Sequence, residues 1–342
     1  MTLRISDVGE KRLIREFILP RINPQFDGSG AGDDCAVMDV DPGYSLVCST
    51  DRVPADLISF RLGIIDFFGL GRYLGVLNLS DIAAAGGRPT GILFNAGVYG
   101  NLPISDFMAL LEGLTTITEG QGARVIGGDI SWSEDLSLSA TSLGVVEKGR
   151  SLTRRGARPG DTVFVSRMIG LTPSAFLYYL HKSDRPRPAL NEEILRRQFT
   201  AIEPMVELGQ RLARSQICSA CMDNTDGIWE SFSEIGLQSG VKIVLKEALL
   251  KVPAIVQTIA EWAQLDMIVA ALSGGADFSL VGTLRGQLSE DEARAALGFP
   301  IHIVGYVDAG SGVWLQSLRE TLTEIQVPGW NYFVPNKSTS AG

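Results

Sequence analysis

The stretch Asn78-Leu79-Ser80-Asp81-Ile82-Ala83-Ala84-Ala85-Gly86-Gly87-Arg88-Pro89 decides how this chain is read. It closes an apolar run that begins near residue 64, and the pattern predicts a helix over 64–85. Asp81 is out of place in it. Leu77, Leu79, Ile82 and Ala83 are its neighbours, and a carboxylate buried among such residues without a partner is costly.

Upstream, residues 8–19 read as an amphipathic helix, with Leu13, Ile14, Phe17 and Ile18 on one face and Pro20 as its stop. The glycine turn Gly28-Ser29-Gly30-Ala31-Gly32 follows, then strands over 35–40 and 44–50 split by Asp41-Pro42-Gly43. Downstream, the expected order is strand 91–98, helix 104–120, and strands 123–127 and 136–146. A polar break at 147–161 contains Arg154-Arg155-Gly156-Ala157-Arg158-Pro159-Gly160-Asp161. It divides the chain into expected domains at 1–150 and 151–342, in line with ~150 residues per domain. Beyond it, strands over 162–166, 217–222, 241–245, 278–283 and 301–307 alternate with helices near 173–181, 192–215 and 227–239 and a further helix between 245 and 278, an α/β layer.

Acidic residues number 39 and basic residues 30, for a net charge of −9. That balance argues against a nucleic-acid or anionic-membrane partner, since both need a cationic face. No apolar stretch approaches the ~20 residues that span a bilayer, and Met1 to Glu10 lacks the pattern of a signal peptide. The expected compartment is the cytoplasm. Cys35, Cys48, Cys218 and Cys221 are too few for a disulfide scaffold.

The aspartates carry the chemistry. Asp33 and Asp34 follow the glycine turn, Asp51 ends a strand, Asp129 ends another after Gly127-Gly128, and Asp223 and Asp226 follow the strand 217–222. Singly, each reads as a turn or cap residue. Together with Asp81 they suit magnesium, which takes oxygen ligands shared between carboxylates and substrate phosphates. No Gly-Lys dipeptide occurs, so a Walker A loop is absent. The turn 28–32 offers backbone N–H groups to phosphate oxygens.

Read in order, Gly32-Asp33-Asp34-Cys35-Ala36-Val37, Ser49-Thr50-Asp51, Asn78 through Pro89 and Gly127-Gly128-Asp129 resemble the N-terminal half of thiamine-monophosphate kinases. Arg154 through Asp161 and Asp223-Asn224-Thr225-Asp226-Gly227-Ile228 resemble the C-terminal half. Ser273-Gly274-Gly275-Ala276-Asp277-Phe278 and Gly329-Trp330-Asn331-Tyr332-Phe333 resemble degenerate forms of the last two motifs. The wider group is the aminoimidazole-ribonucleotide synthetase-like superfamily. The resemblance implies an α/β (α+β) two-domain fold. Its N-terminal domain would pair across a homodimer into a β-barrel, a closure that removes sheet edges. Its C-terminal domain would be a separate α/β layer, with ATP between the two and Mg2+ on the phosphates.

By the same resemblance, Asp33, Asp51, Asp81, Asp129 and Asp223 would hold phosphate-bridging magnesium, with Asp34 in the same motif. Thr50 would add an oxygen ligand, and Asp226 would bind a further ion beside the transferring group. Gly128, Asp129, Thr225 and Arg154 would meet the nucleotide, with Arg155 the alternative to Arg154. Arg154 could neutralise charge on the transferring group.

The departures fall on the acceptor side. Ser59 stands where the family usually has histidine, and Ala276 where it has glutamate, while Trp330 keeps the C-terminal aromatic. Losing such polar handles lowers discrimination. Three readings follow. The first is an ATP- and magnesium-dependent phosphotransferase of the thiamine-monophosphate kinase type with a diverged pocket for a small-molecule phosphate acceptor. The second is an ATP-dependent synthetase of the aminoimidazole-ribonucleotide synthetase type acting on another small molecule. The third is a non-catalytic nucleotide-binding paralogue. Cys218-Ser219-Ala220-Cys221 is read as small packed side chains ahead of Asp223 rather than a redox pair.

Overall fold

The computed structural model describes residues 33–40, 42–181 and 185–326, together with Arg12, Arg15 and Glu16. The helix expected over 8–19 lies largely outside these residues, and the glycine turn 28–32 and Trp330 lie wholly outside them.

The first sheet has five strands in the order β1-β2-β5-β3-β4: β1 (Ala36–Asp39), β2 (Tyr44–Arg52), β5 (Ser137–Glu147), β3 (Arg88–Val98) and β4 (Val125–Trp132). Its pairs are antiparallel except β3 with β4, which run parallel. A one-turn helix, α1 (Ile58–Arg61), precedes the long α2 (Phe67–Ala84), and α3 (Ile104–Gly120) follows β3. Asp66 caps α2 by accepting the Gly69 N–H at 2.9 Å.

Helix α2 is buried on nearly every side, from Leu70 to Ala84, as expected of an apolar helix at the centre of a fold. Glycines allow this. A Cβ on Gly71 would lie 1.9 Å from the Leu110 carbonyl oxygen, and one on Gly113 2.0 Å from that of Phe68, so α2 and α3 touch backbone to backbone.

The second sheet has seven strands in the order β12-β11-β8-β10-β6-β9-β7: β12 (Leu322–Glu324), β11 (Val313–Gln316), β8 (Lys242–Lys246), β10 (His302–Asp308), β6 (Thr162–Val165), β9 (Leu280–Leu284) and β7 (Cys218–Asp223). All its pairs are antiparallel except β8 with β11. The helices of this half are α4 (Leu171–Leu180), α5 (Glu192–Thr200), α6 (Val206–Ser215), α7 (Ile228–Ser239), α8 (Ala254–Ala263), α9 (Met267–Leu272) and α10 (Glu290–Leu297). The stretch 192–215 is two helices rather than one. Pro204 separates them, since proline lacks the donor that would continue a helix.

A second expectation is corrected. The strand placed over 123–127 runs on to Trp132 as β4, so Asp129 sits in mid-strand opposite Asn95 rather than at a strand end. Of the two glycines, Gly128 is a close approach instead of a stop. A Cβ on Gly128 would lie 1.8 Å from the Phe94 carbonyl oxygen, and glycine in a strand often marks such a contact.

Candidate active site

Three segments meet at the C-terminal end of α2. Asn78, Ser80 and Asp81 come from its last turns, Asp51 from the end of β2, and Asp223 from the end of β7. Alternation along β2 turns Ser49 and Asp51 toward α2 and leaves Thr50 exposed on the outer face. Serines fix the carboxylates. The Ser49 hydroxyl donates to Asp81 Oδ2 at 2.6 Å, and the Ser80 hydroxyl to Asp223 Oδ2 at 2.7 Å. Asn78 Oδ1 accepts the Asp51 N–H at 3.2 Å while its Nδ2 donates to the Leu74 carbonyl at 3.0 Å.

Carboxylate oxygens of Asp34, Asp81 and Asp223, all buried, lie within 4.8 Å of one another. Burial first, then the charges of Asp51, Asp223 and Asp34, pushes the Asp81 carboxyl well above the usual range. Burial and Asp34 do the same to Asp223. Asp81 also sits in the last turn of α2, where the helix dipole disfavours an anion. Buried carboxylates gathered at such a cost cluster at functional sites, which makes this group the candidate site. The donor set is hard oxygen, as magnesium requires.

One cation already reaches the group. Arg154 Nε donates to Asp34 Oδ1 at 3.1 Å, and its Nη2 pairs with the same oxygen. Its backbone N–H points at both oxygens of Asp33, each at 3.3 Å. Of the two arginines, Arg154 faces inward, whereas Arg155 is exposed. Asp33 also accepts the Asp34 N–H at 2.9 Å, and burial with the Asp34 charge pushes it up to about 7.

The expected residues therefore separate. Asp34, Asp81 and Asp223 converge, Asp51 acts electrostatically on Asp81, and Asp33 anchors Arg154. The Thr50 hydroxyl is turned away, donating to the Ala140 carbonyl at 2.9 Å. Only its backbone oxygen remains for a ligand role. Gly128 and Asp129 are exposed on β4, and Asp129 is outside the converging group.

Thr225 and Asp226 sit in the loop between β7 and α7, which packs on the loop 273–278. The Ala276 N–H donates to the Thr225 carbonyl at 2.7 Å. A Cβ on Gly275 would lie 1.9 Å from the Thr225 oxygen. Ala276 and Phe278 hold positive φ of 61° and 52°, a conformation that costs non-glycine residues energy and clusters at functional sites. Phe278 is fully buried and meets Tyr73 of α2 edge-on, centroids 5.5 Å apart. Ser59 is buried in α1. Cys218 and Cys221 are buried and free, consistent with packing.

Ser49, Ser80 and Asn78 had no assigned role in the sequence reading. Their signal was adjacency to an aspartate, Ser80 beside Asp81 and Ser49 two residues before Asp51.

Residues 32–146 match the family model of the AIR synthase related protein N-terminal domain. The thiamine-monophosphate kinase of Methanopyrus kandleri is 32% identical over 236 residues, 69% of this chain and 71% of the relative. The chain belongs to the thiamine-monophosphate kinase family. The Bacillus subtilis member is 29% identical over 313 residues, 89% of this chain and 93% of the relative. The solved structure of AaThiL complexed with AMPPCP and TMP superposes with a TM-score of 0.78, at 24% identity, over 97% of this chain and 99% of that one. The family's fold is thus present along nearly the whole chain. The two-sheet α/β architecture agrees with what the motifs implied.

Proposed function

We propose that this chain transfers the γ-phosphoryl group of ATP to thiamine monophosphate, yielding thiamine diphosphate and ADP. One observation carries the reading: buried Asp34, Asp81 and Asp223, drawn from three motifs shared with thiamine-monophosphate kinases, gather within 4.8 Å. Those three, with Asp51 and Asp33 beside them, would hold Mg2+. Thr50 would serve through its carbonyl. Gly128, Asp129, Thr225 and Asp226 line the nucleotide side in this reading. Magnesium, when bound, supplies positive charge to the phosphates. The chain's own part is to fix two carboxylates through Ser49 and Ser80, to hold the Asp51 backbone through Asn78, and to keep the Arg154 guanidinium beside them. Catalysis would then rest on positioning and charge, with no side-chain nucleophile.

The remaining parts of the reading are proposals of the same standing. The domains are 1–150 and 151–342, with ATP between them and the cytoplasm as the compartment. The first domain forms a homodimer, its sheets closing into a barrel. Support comes from β4, an edge strand exposed along its length, with Ile126, Ile130 and Trp132 at 55%, 59% and 73% exposure. An apolar edge of this kind is normally covered.

A second reading has its own observation. Ser59 is buried, and Ala276 packs against the apolar cluster of Tyr73 and Phe278. Neither presents a charged handle to an acceptor. That favours a different acceptor on the same ATP machinery, as in a synthetase that releases phosphate.

The test is direct. Purified protein is incubated with ATP, magnesium and thiamine monophosphate, and thiamine diphosphate is measured. Binding of an ATP analogue without diphosphate formation overturns the substrate assignment. Free phosphate in its place supports the second reading.

A further inference from the structure

Asp277 is a carboxylate that the phosphoryl-transfer reading does not use. It lies in the loop 273–279, which is hydrogen-bonded to the loop 223–227 on both sides of it. Before it, the Ala276 N–H donates to the Thr225 carbonyl at 2.7 Å. After it, the Ser279 carbonyl accepts the Asn224 N–H at 2.8 Å. Asn224 follows Asp223 directly and is 1% exposed, so the second bond fixes the chain where it leaves that carboxylate. The loops touch again at glycine, where a Cβ on Gly227 would lie 2.7 Å from the Gly274 carbonyl oxygen.

This arrangement needs a restraint. Ala276 and Phe278 flank Asp277 with φ of 61° and 52°. Left-handed backbone is an outlier for a residue as bulky as Phe278. Its ring is fully buried edge-on to Tyr73 of α2, so a return to ordinary φ would pull the ring out of place. Asp277 supplies the restraint. Its Oδ1 accepts the Ser279 N–H at 2.8 Å. That bond closes a turn across Phe278, of the kind Asp makes with the backbone two residues on.

We propose that Asp277 is a positioning residue that holds the loop 273–279 in its strained form and, through Ala276 and Ser279, sets Asn224, Thr225 and Asp226 for the nucleotide. The conformation that receives the nucleotide is one that Phe278 disfavours, so its population depends on the Asp277 turn. Apparent affinity falls by the same factor as that population. Asp277 acts on the free protein, before binding, and not on the transferring group. The inference rests on the assignment of Thr225 and Asp226 to the nucleotide.

The test uses the full chain with Asp277→Ala, Asp277→Asn and Asp226→Asn, and the double of Asp277→Ala with Asp226→Asn. Binding of a non-hydrolysable ATP analogue with magnesium is measured by calorimetry, alongside the thermal midpoint in EDTA. Asp277→Ala should weaken binding by about 3- to 10-fold, the loss expected of one net hydrogen bond. Asp277→Asn keeps an acceptor oxygen for the Ser279 N–H and should bind within about 2-fold of wild type. In the Asp226→Asn background, Asp277→Ala should weaken binding less than it does in wild type. If Asp277→Ala fails to fold, Asp277→Ser, whose hydroxyl makes the same turn more weakly, takes its place. Equal losses in Asp277→Ala and Asp277→Asn overturn the proposal, because charge and not the turn would then matter. A lowered midpoint with unchanged binding in Asp277→Ala overturns it too, leaving a role in stability alone. Fully additive losses in the double variant do the same. Unchanged binding in Asp226→Asn overturns the nucleotide assignment beneath it.

Discussion

Asp223→Asn should stabilise the protein without metal and remove its response to magnesium. Carboxylate oxygens of Asp34, Asp81 and Asp223 lie within 4.8 Å. Two unit charges at that separation repel by about 3.5 kcal/mol at an effective dielectric of ~20. Asp223 faces two such neighbours. Its raised pKa, from burial and then Asp34, means that proton uptake already relieves part of the repulsion. A net gain of about 1–2 kcal/mol is the expected remainder. At roughly 2–4 °C per kcal/mol for a unit of this size, the midpoint should rise by about 2–8 °C in EDTA. The amide retains an oxygen for the Ser80 hydroxyl, which now donates at 2.7 Å. With magnesium and an ATP analogue the order reverses. A ligand at a hundredfold excess over its dissociation constant adds about 2.7 kcal/mol, and only the wild type should receive it in full. Thermal unfolding in EDTA and in magnesium plus analogue measures both arms. A variant less stable than wild type in EDTA, or one with an undiminished magnesium response, refutes the reasoning.

Asp51→Asn should cut turnover on the order of 10²-fold, about 2.7 kcal/mol of barrier; wild-type kcat in that variant would remove Asp51 from the metal set. Gly275→Ala should prise apart the loops 223–227 and 273–278, because the new Cβ would meet the Thr225 oxygen at 1.9 Å. Analogue affinity should fall by about 5- to 150-fold, as overpacking of ~1–3 kcal/mol would give, and unchanged affinity counts against an interlocked site. Trp132→Glu should shift the protein toward monomer in sedimentation; an unchanged dimer places the interface elsewhere. Asp33 sets a pH dependence. Its carboxyl is pushed from 3.8 up to about 7, so the folded state holds a proton that the unfolded chain releases. That stability is present below about pH 4 and lost as pH rises toward 7. Metal-free wild type should lose stability between pH 5.5 and 7.5 more steeply than Asp33→Asn, and equal slopes would contradict the shift.

The elements were legible wherever periodicity was strong. Helix α3 spans the predicted residues 104–120, and most strands fall within a residue or two of their expected bounds. The strands β11 and β12 were not expected at all, and other failures came where one residue type has two uses. Gly127 and Gly128 read as a stop because glycine breaks strands, yet Gly128 lets β4 press against β3. Helices α5 and α6 merged in the sequence reading because Pro204 lies within one continuous amphipathic pattern.

The site divides in the same way. Local sequence determined which residues carry negative charge next to serine, glycine and asparagine, and Asp81 in an apolar helix announced a need for compensation without any coordinates. The family resemblance put Asp33 ahead of Asp34 as a metal ligand and Arg154 ahead of Arg155, but local sequence alone separates neither pair, because adjacent residues share their neighbours in the chain. Tertiary structure decided both. Asp34 turns toward Asp81 and Asp223, while Asp33 turns to the Arg154 backbone. Distance in space, which sets both Coulomb energy and desolvation, is a property of the folded chain.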